Sequence, residues 1–209
     1  MVDGGNNIDT IFFDIGGVLI DIHPKKTFKY IGKCIGLSSK DIELSFPINS
    51  HEKYEKGEIS DRKWYEAVFK SLPVGSNLKE KDFWLAWRLF LGKQTNVIEI
   101  LRLLKKHYSV WLLSNTNPRH IEDEIKIKYD FPNEIDGAIY SFEVGKMKPD
   151  PEIFYVAVNS ANTKFENCVF IDDLKSNVDS AKKIGILSFQ YVSTNQLIRD
   201  LINHGIKVL

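Results

Sequence analysis

Three short apolar runs in this sequence end on side chains able to do chemistry. Thr10-Ile11-Phe12-Phe13 runs into Asp14 and a Gly16-Gly17 pair, Val110-Trp111-Leu112-Leu113 into Ser114-Asn115, and Cys168-Val169-Phe170-Ile171 into Asp172-Asp173. Continuous apolar runs of this length read as strands buried on both faces. In an open parallel sheet, ligands bind outside the carboxyl ends of the strands. Collected on one edge, Asp14, Asp172 and Asp173 repel one another. A hard divalent cation offsets that repulsion, and oxygen ligands of this kind suit Mg²⁺. The loop Gly145-Lys146-Met147-Lys148-Pro149-Asp150-Pro151 lies between the second and third of these sites. Folded toward the carboxylates it adds an ammonium, from Lys148 or from its rival Lys146. Carboxylates, a metal, a hydroxyl and an ammonium together make a site for a phosphate.

The elements that must position these residues follow from the apolar periodicity. A weaker fourth strand run, Ile186-Leu187-Ser188-Phe189, follows Gly185. Between the strands lie helical stretches. In Asn96–His107, residues Val97, Ile100, Leu101 and Leu104 share one face. Pro151–Ala161 opens on a proline, which a helix tolerates at its start, and Ser176–Ile184 stops at Gly185. Strand alternating with helix implies parallel strands joined by crossovers, hence a Rossmann-like, three-layer α/β sheet. Residues 22–93 break that rhythm. They hold no buried strand but three amphipathic stretches, Thr27–Ile35, Asp61–Leu72 and Glu80–Leu91, with Trp64, Tyr65, Trp84 and Trp87 read as core. The expected organisation is an α/β core from residues 1–21 and 94–209 with an all-helical insertion over 22–93, and with hinges near Ile20–Pro24 and Leu91–Thr95.

Composition bounds the function without naming it. The chain has 209 residues, 43% hydrophobic and 27% charged, with 28 basic and 28 acidic side chains. A balance of zero lacks the basic excess of a general nucleic-acid or membrane-surface binder. No apolar stretch reaches the roughly 18 residues of a membrane helix, and the polar opening MVDGGNNIDT does not read as a secretion signal. Cys34 and Cys168 are too few for a disulfide framework. A soluble, cytoplasmic protein is expected, acting on a small molecule. Its oligomeric state is not written in the composition.

The order Asp, Ser, Lys, Asp-Asp resembles the haloacid dehalogenase superfamily. Phe12-Phe13-Asp14-Ile15-Gly16-Gly17-Val18-Leu19 is similar to its first motif and Leu112-Leu113-Ser114-Asn115-Thr116-Asn117 to its second. Lys146-Met147-Lys148-Pro149-Asp150-Pro151-Glu152-Ile153-Phe154 resembles the third. Val169-Phe170-Ile171-Asp172-Asp173, with Asn177, Ala181 and Gly185, resembles the fourth. The insertion resembles the family's helical cap, where Gly57-Glu58-Ile59-Ser60 matches a recurring segment. The resemblance implies a Mg²⁺-dependent phosphatase in which Asp14 is the nucleophile and forms an aspartyl-phosphate. It further implies that Ser114, the backbone N–H of Asn115 and Lys148 hold the phosphate. Asp14, the Gly16 carbonyl, Asp172 and Asp173 are the implied metal ligands, with Asp173 favoured for direct contact. His51 of the cap is a candidate substrate contact.

Gly16 departs from the family pattern. The phosphatases of this superfamily usually carry a second Asp there, the general acid/base, a role that contributes about 10²–10⁴ in rate. The substitutes open to the sequence are a good leaving group or a proton from Asp21, His23 or His51. A subgroup with Asp-x-Gly, which includes α-D-glucose-1-phosphate phosphatases, is similar in its second motif as well, and implies a sugar phosphate as substrate. The alternatives are a weak or inactive relative that binds a phosphorylated ligand, and a 2-haloacid dehalogenase, which would have Tyr in place of Gly16.

Overall fold

The computed structural model describes residues 7–208. Seven strands lie among them: β1 (Thr10–Phe13), β2 (Ile20–Ile22), β3 (Leu91–Gln94), β4 (Ser109–Ser114), β5 (Gly137–Tyr140), β6 (Cys168–Asp172) and β7 (Leu187–Gln190). Five of them form one parallel sheet in the order β5-β4-β1-β6-β7, and β2 and β3 pair as a separate antiparallel ribbon. The helices are α1 (Pro24–Ile35), α2 (Ser39–Ser45), α3 (Ile48–Glu55), α4 (Asp61–Ser71), α5 (Glu80–Arg88) and α6 (Val97–Leu104). Next comes α7, a continuous stretch of Pro118–His120, a π-helical turn over Ile121–Ile125, and Lys126–Lys128. It is followed by α8 (Ser141–Val144), α9 (Pro151–Ser160), α10 (Lys175–Lys183) and α11 (Thr194–Asn203).

The strand runs are apolar throughout because both sheet faces are covered. Successive side chains of a strand point to opposite faces. Ile11 and Phe13 therefore join Val110, Leu112, Val169 and Ile171 in one apolar layer, under α6, α7 and α11. Phe12 joins Leu113, Cys168 and Phe170 in the other, under α9 and α10. Each large side chain buried in this way contributes about 1.5–3 kcal/mol, and both cysteines are free. Among the described residues no helix is long and apolar enough to cross a membrane. The polar opening of the chain falls largely on residues 1–6, outside the described residues.

Helices α1–α5 pack around an apolar cluster of their own, with Tyr54, Trp64, Phe83 and Trp87 at its centre. Trp64 lies within 5.3 Å of the Trp87 ring and stacks on Tyr54 at 5.6 Å. Three regions differ from the sequence expectation. The third amphipathic stretch of the insertion ends at Arg88, and Leu91–Gln94 is a strand rather than the close of a helix. That strand pairs with Ile20–Ile22, so both chain crossings run through one ribbon. Residues 39–55 carry α2 and α3, the first begun by a reciprocal Ser38–Asp41 capping box. Finally, β5 forms an edge of the main sheet from Gly-Ala-Ile-Tyr, a run too short and too small to register as a strand.

Candidate active site

Register brings the chemistry-bearing residues together. Phe13 of β1 pairs with Leu112 on one side and Ile171 on the other. The next residue, Asp14, therefore leaves the sheet between Leu113 of β4 and Asp172 of β6, and Ser114 ends β4 one position further. The Asp14 N–H donates to Ile171 O at 2.9 Å, which ties the loop to β6.

Lys148 enters from the loop between α8 and α9 and is held at both ends. Asn115 grips its backbone, donating from Nδ2 to Lys148 O at 2.8 Å and accepting from Lys148 N–H at 2.8 Å. The ammonium donates to Leu113 O at 2.8 Å and to Asp172 Oδ2 at 2.6 Å, and it lies 2.9 Å from Asp14 Oδ1. All three of its donors are thus used, in a residue only 2% exposed. Lys146, the rival, is partly exposed and pairs with Glu152 outside the cleft. The Asn115 side chain is therefore committed to Lys148, which leaves its backbone N–H for a ligand.

The two carboxylates after β6 have different surroundings. Asp172 is shut from water, and its oxygens accept from Lys148 Nζ, Leu174 N–H and Asn177 Nδ2. Asp173 is partly exposed and lines the cleft, as Asp172 does not. Asp14, Asp172 and Asp173 each present an oxygen, all within 4.8 Å of one another. Gly17 makes that approach possible. Its φ is +77°, and a Cβ there would lie 2.7 Å from Asp173 Cγ.

The electrostatics are those of an undercompensated acidic cluster. Burial, aided by Asp172 and Asp173, pushes the Asp14 carboxyl up against the pull of Lys148, to about 7. Asp173 is raised by burial and by Asp172. At Lys148 burial favours the neutral amine, but Asp14 and Asp172 outweigh it and hold the ammonium charged. One ammonium among three carboxylates leaves a negative excess. Hard oxygens gathered at that spacing fit a divalent cation of the Mg²⁺ type.

A cleft of about 450 Å³ opens above this edge. Asp14, Gly16, Ser114, Lys148 and Asp173 form its floor, and α3 presents His51 and Glu55 from the other side. His51 packs against Phe46, Trp64 and Trp87 at ring distances of 5.4, 5.3 and 5.6 Å. Burial lowers its pKa to about 4, so the imidazole is neutral near pH 7. Asp21 and His23, the other substitutes suggested by the sequence, lie on the β2 ribbon and at the start of α1, and neither lines the cleft. Glu55 was not among the sequence candidates. It lies four residues after His51, a spacing that puts both on one face of a helix, and only the packing of α3 shows that this face meets the cleft.

The helical unit is seated on the core by specific contacts. Trp87 stacks on His120 at 5.0 Å and 13°, and His120 Nε2 lies 3.1 Å from Trp87 O. Burial lowers His120 to about 4, so a neutral ring donates from Nε2 and accepts from Asn117 at Nδ1. Arg119 donates to Asp61 at 2.6 Å. Gly57, just beyond α3, abuts the Phe142 carbonyl so closely that a Cβ would overlap it.

The haloacid dehalogenase-like hydrolase family model matches residues 8–185. The chain is 28% identical over 194 residues to D-ribitol-5-phosphate phosphatase of Bacteroides thetaiotaomicron, covering 88% of this chain and 91% of that protein. It is 23% identical over 187 residues to the phosphorylated carbohydrates phosphatase of Thermotoga maritima, covering 86% and 82%. Its fold is similar to a crystal structure of a family enzyme from Bacteroides thetaiotaomicron in complex with magnesium and inorganic phosphate. The TM-score is 0.79 at 26% identity, over 92% of this chain and 100% of that one. With four motifs converging on one sheet edge and the family model spanning most of its length, this chain belongs to the haloacid dehalogenase-like hydrolases and is an enzyme of that family.

Proposed function

We propose that this hydrolase is a Mg²⁺-dependent phosphatase of a small sugar or polyol phosphate, acting through an aspartyl-phosphate at Asp14. The observation that carries the reading is the Lys148 ammonium, buried between Asp14 and Asp172 on the edge where Ser114 also ends. A haloacid dehalogenase attacks carbon with the same Asp and has no use for a third carboxylate at Asp173. The relatives named above, phosphatases of phosphorylated carbohydrates, support the substrate class.

In this mechanism the Asp14 carboxylate attacks phosphorus and water later hydrolyses the acyl phosphate, which splits one hard displacement into two. Phosphoryl transfer asks chiefly for in-line placement and charge neutralisation. Ser114 Oγ and the Asn115 N–H hold phosphate oxygens, and Lys148 holds Asp14 in place while neutralising the phosphate. Asp172, saturated by Lys148, Leu174 and Asn177, positions the lysine. Asp14, Asp173 and the Gly16 carbonyl would hold Mg²⁺, with Asp172 behind them. Bound there, Mg²⁺ would neutralise charge on the phosphate.

Helices α1–α5, over residues 22–93, act as the cap that excludes water and selects the ester. His51→Ala is expected to change the ranking of substrates more than the Mg²⁺ dependence. Two free cysteines fit the reducing cytoplasm. The test is phosphate release from p-nitrophenyl phosphate, acetyl phosphate and a panel of sugar and polyol phosphates, with Mg²⁺ and with EDTA, using Asp14→Asn as blank. Metal-dependent release lost in the variant supports the reading. No release from any substrate overturns it.

A further inference from the structure

Position 16 leaves the reaction without the group that hands a proton to the departing oxygen. The core does not refill that space: a side chain at Gly16 would first meet Ile22 Cγ2 at 3.2 Å, an aliphatic group. The other floor groups are occupied. Lys148 has spent its donors on Leu113, Asp14 and Asp172, and Asp173 sits in the acidic cluster. His120 has both ring nitrogens engaged.

The in-line geometry of phosphoryl transfer places the leaving oxygen on the side of phosphorus opposite the nucleophile. Asp14 is on the floor, so the leaving oxygen faces the helical unit, and α3 is the helix that meets the cleft there. Resting on the phosphatase reading above, we propose that Glu55 of α3 is the general acid and base of this enzyme, in the role that Gly16 vacates.

Its placement suits the role. The Glu55 side chain is 16% exposed, shielded yet open to the cleft. The His51 ring nitrogen lies 3.7 Å from its carboxylate, too far for a hydrogen bond. The helix is anchored at both sides of this residue. Tyr54 is buried in the cap core with its hydroxyl donating to Asp61 at 2.8 Å, and Gly57 abuts the Phe142 carbonyl. The charged and titratable groups facing Glu55 are His51 and Glu52 of its own helix, with Asp14 and Lys148 from the core. Burial and the Asp14 charge push its carboxyl up to about 7, against the pull of Lys148. A general acid works best with a pKa near the operating pH.

An Asp14 oxygen forms a bond to phosphorus while the bond from phosphorus to the ester oxygen breaks. The ester oxygen keeps that electron pair and takes the Glu55 proton, leaving an alcohol and a Glu55 carboxylate. Water then attacks phosphorus from the vacated side and gives its proton to Glu55. Phosphate departs, the Asp14 carboxylate is restored, and Glu55 is again protonated. His51, one turn away and neutral, packs beside this carboxyl without competing for its proton.

The test compares wild type, Glu55→Gln and Glu55→Asp on p-nitrophenyl phosphate and on the sugar or polyol phosphate that wild type turns over fastest. Glu55→Gln should lower kcat on the alkyl ester by about 10²–10⁴. First-turnover release of p-nitrophenolate should stay within a few-fold, since that anion leaves without a proton. A burst should then appear as water attack slows and phosphate accumulates on Asp14. Glu55→Asp should recover part of the alkyl activity, and the alkaline fall of wild-type kcat/KM should vanish in Glu55→Gln. An equal loss of first-turnover release on both esters, or no loss on either, with wild type active, overturns the role of Glu55 alone. A wild type inactive on every ester, with and without Mg²⁺, overturns the phosphatase reading and this inference with it.

Discussion

Lys148 Nζ lies 2.6 Å from Asp172 Oδ2, and both side chains are shut away from water. Removing one partner of such a pair leaves an uncompensated charge in a medium that solvates it poorly. Lys148→Met is therefore expected to cost about 3–5 kcal/mol in folding stability and to abolish turnover. Urea unfolding of the two proteins at pH 7.5 checks the first outcome and phosphate release the second. A variant as stable as wild type would mean that water reaches the pair.

Asp14→Asn should separate chemistry from stability. The substitution removes one negative charge from a cluster with a negative excess, so the melting temperature should hold or rise. Turnover should drop by roughly 10³ or more, the scale on which losing a covalent nucleophile acts. Thermal unfolding without metal, beside single-turnover assays, reads both. Retained turnover would remove Asp14 from the reaction.

Gly17→Ala tests the approach of the β1 loop to Asp173. A φ of +77° costs an L-residue about 1–2 kcal/mol, and the methyl group would push against the Asp173 carboxylate. The Mg²⁺ concentration for half-maximal activity should rise well beyond what that loss of stability explains. A metal titration of activity, beside a melting curve, decides it.

Gly57→Ala probes the seating of the helical unit on the core. Its φ of +70° and its contact with Phe142 O admit no Cβ without a shift of the backbone. Stability should fall by about 1–2 kcal/mol, and KM for sugar phosphates should rise while p-nitrophenyl phosphate is less affected. Equal KM values for both proteins on all esters would show that the contact does not govern closure.

His120 makes stability depend on pH. Burial lowers it from 6.5 to about 4 in the folded state. Above pH 6.5 both states are neutral and it contributes nothing to the slope. Between pH 6.5 and 4 the unfolded state takes up a proton that the folded state refuses, so stability falls, by about 3 kcal/mol at most. Glu55 works with the opposite sign: its raised carboxyl binds a proton more readily when folded, which adds stability as pH falls from about 7. The measurement is thus a difference. His120→Gln should lose stability at pH 8 yet show a flatter fall between pH 6.5 and 4 than wild type. Parallel curves would show that the ring is not buried neutral.

Much of the core was legible because its signal is local. In β1, β4 and β6 both faces are covered, so every residue of the run is apolar and the run announces itself. Parallel strands end on one edge, which already placed Asp14, Ser114 and Asp172 near one another, and the Pro-flanked loop offered Lys148. The ribbon of Ile20–Ile22 with Leu91–Gln94 and the edge strand Gly137–Tyr140 were illegible for the converse reason. They are short and partly exposed, and their extended form is imposed by partners distant in sequence. The choice of Lys148 over Lys146 was likewise tertiary, because only the Asn115 grip turns one lysine inward. So was the difference between Asp172, saturated and buried, and Asp173, open to the cleft. Glu55 is the clearest case: residue type and helical spacing could mark it as a surface acid four after His51, and nothing more. That it faces Asp14 depends on how a separately folded apolar cluster seats on the sheet, through Trp87 on His120 and Gly57 on Phe142. Local patterning determines which face of each element is buried, whereas the direction in which one packed unit meets another is set by contacts that no stretch of sequence contains.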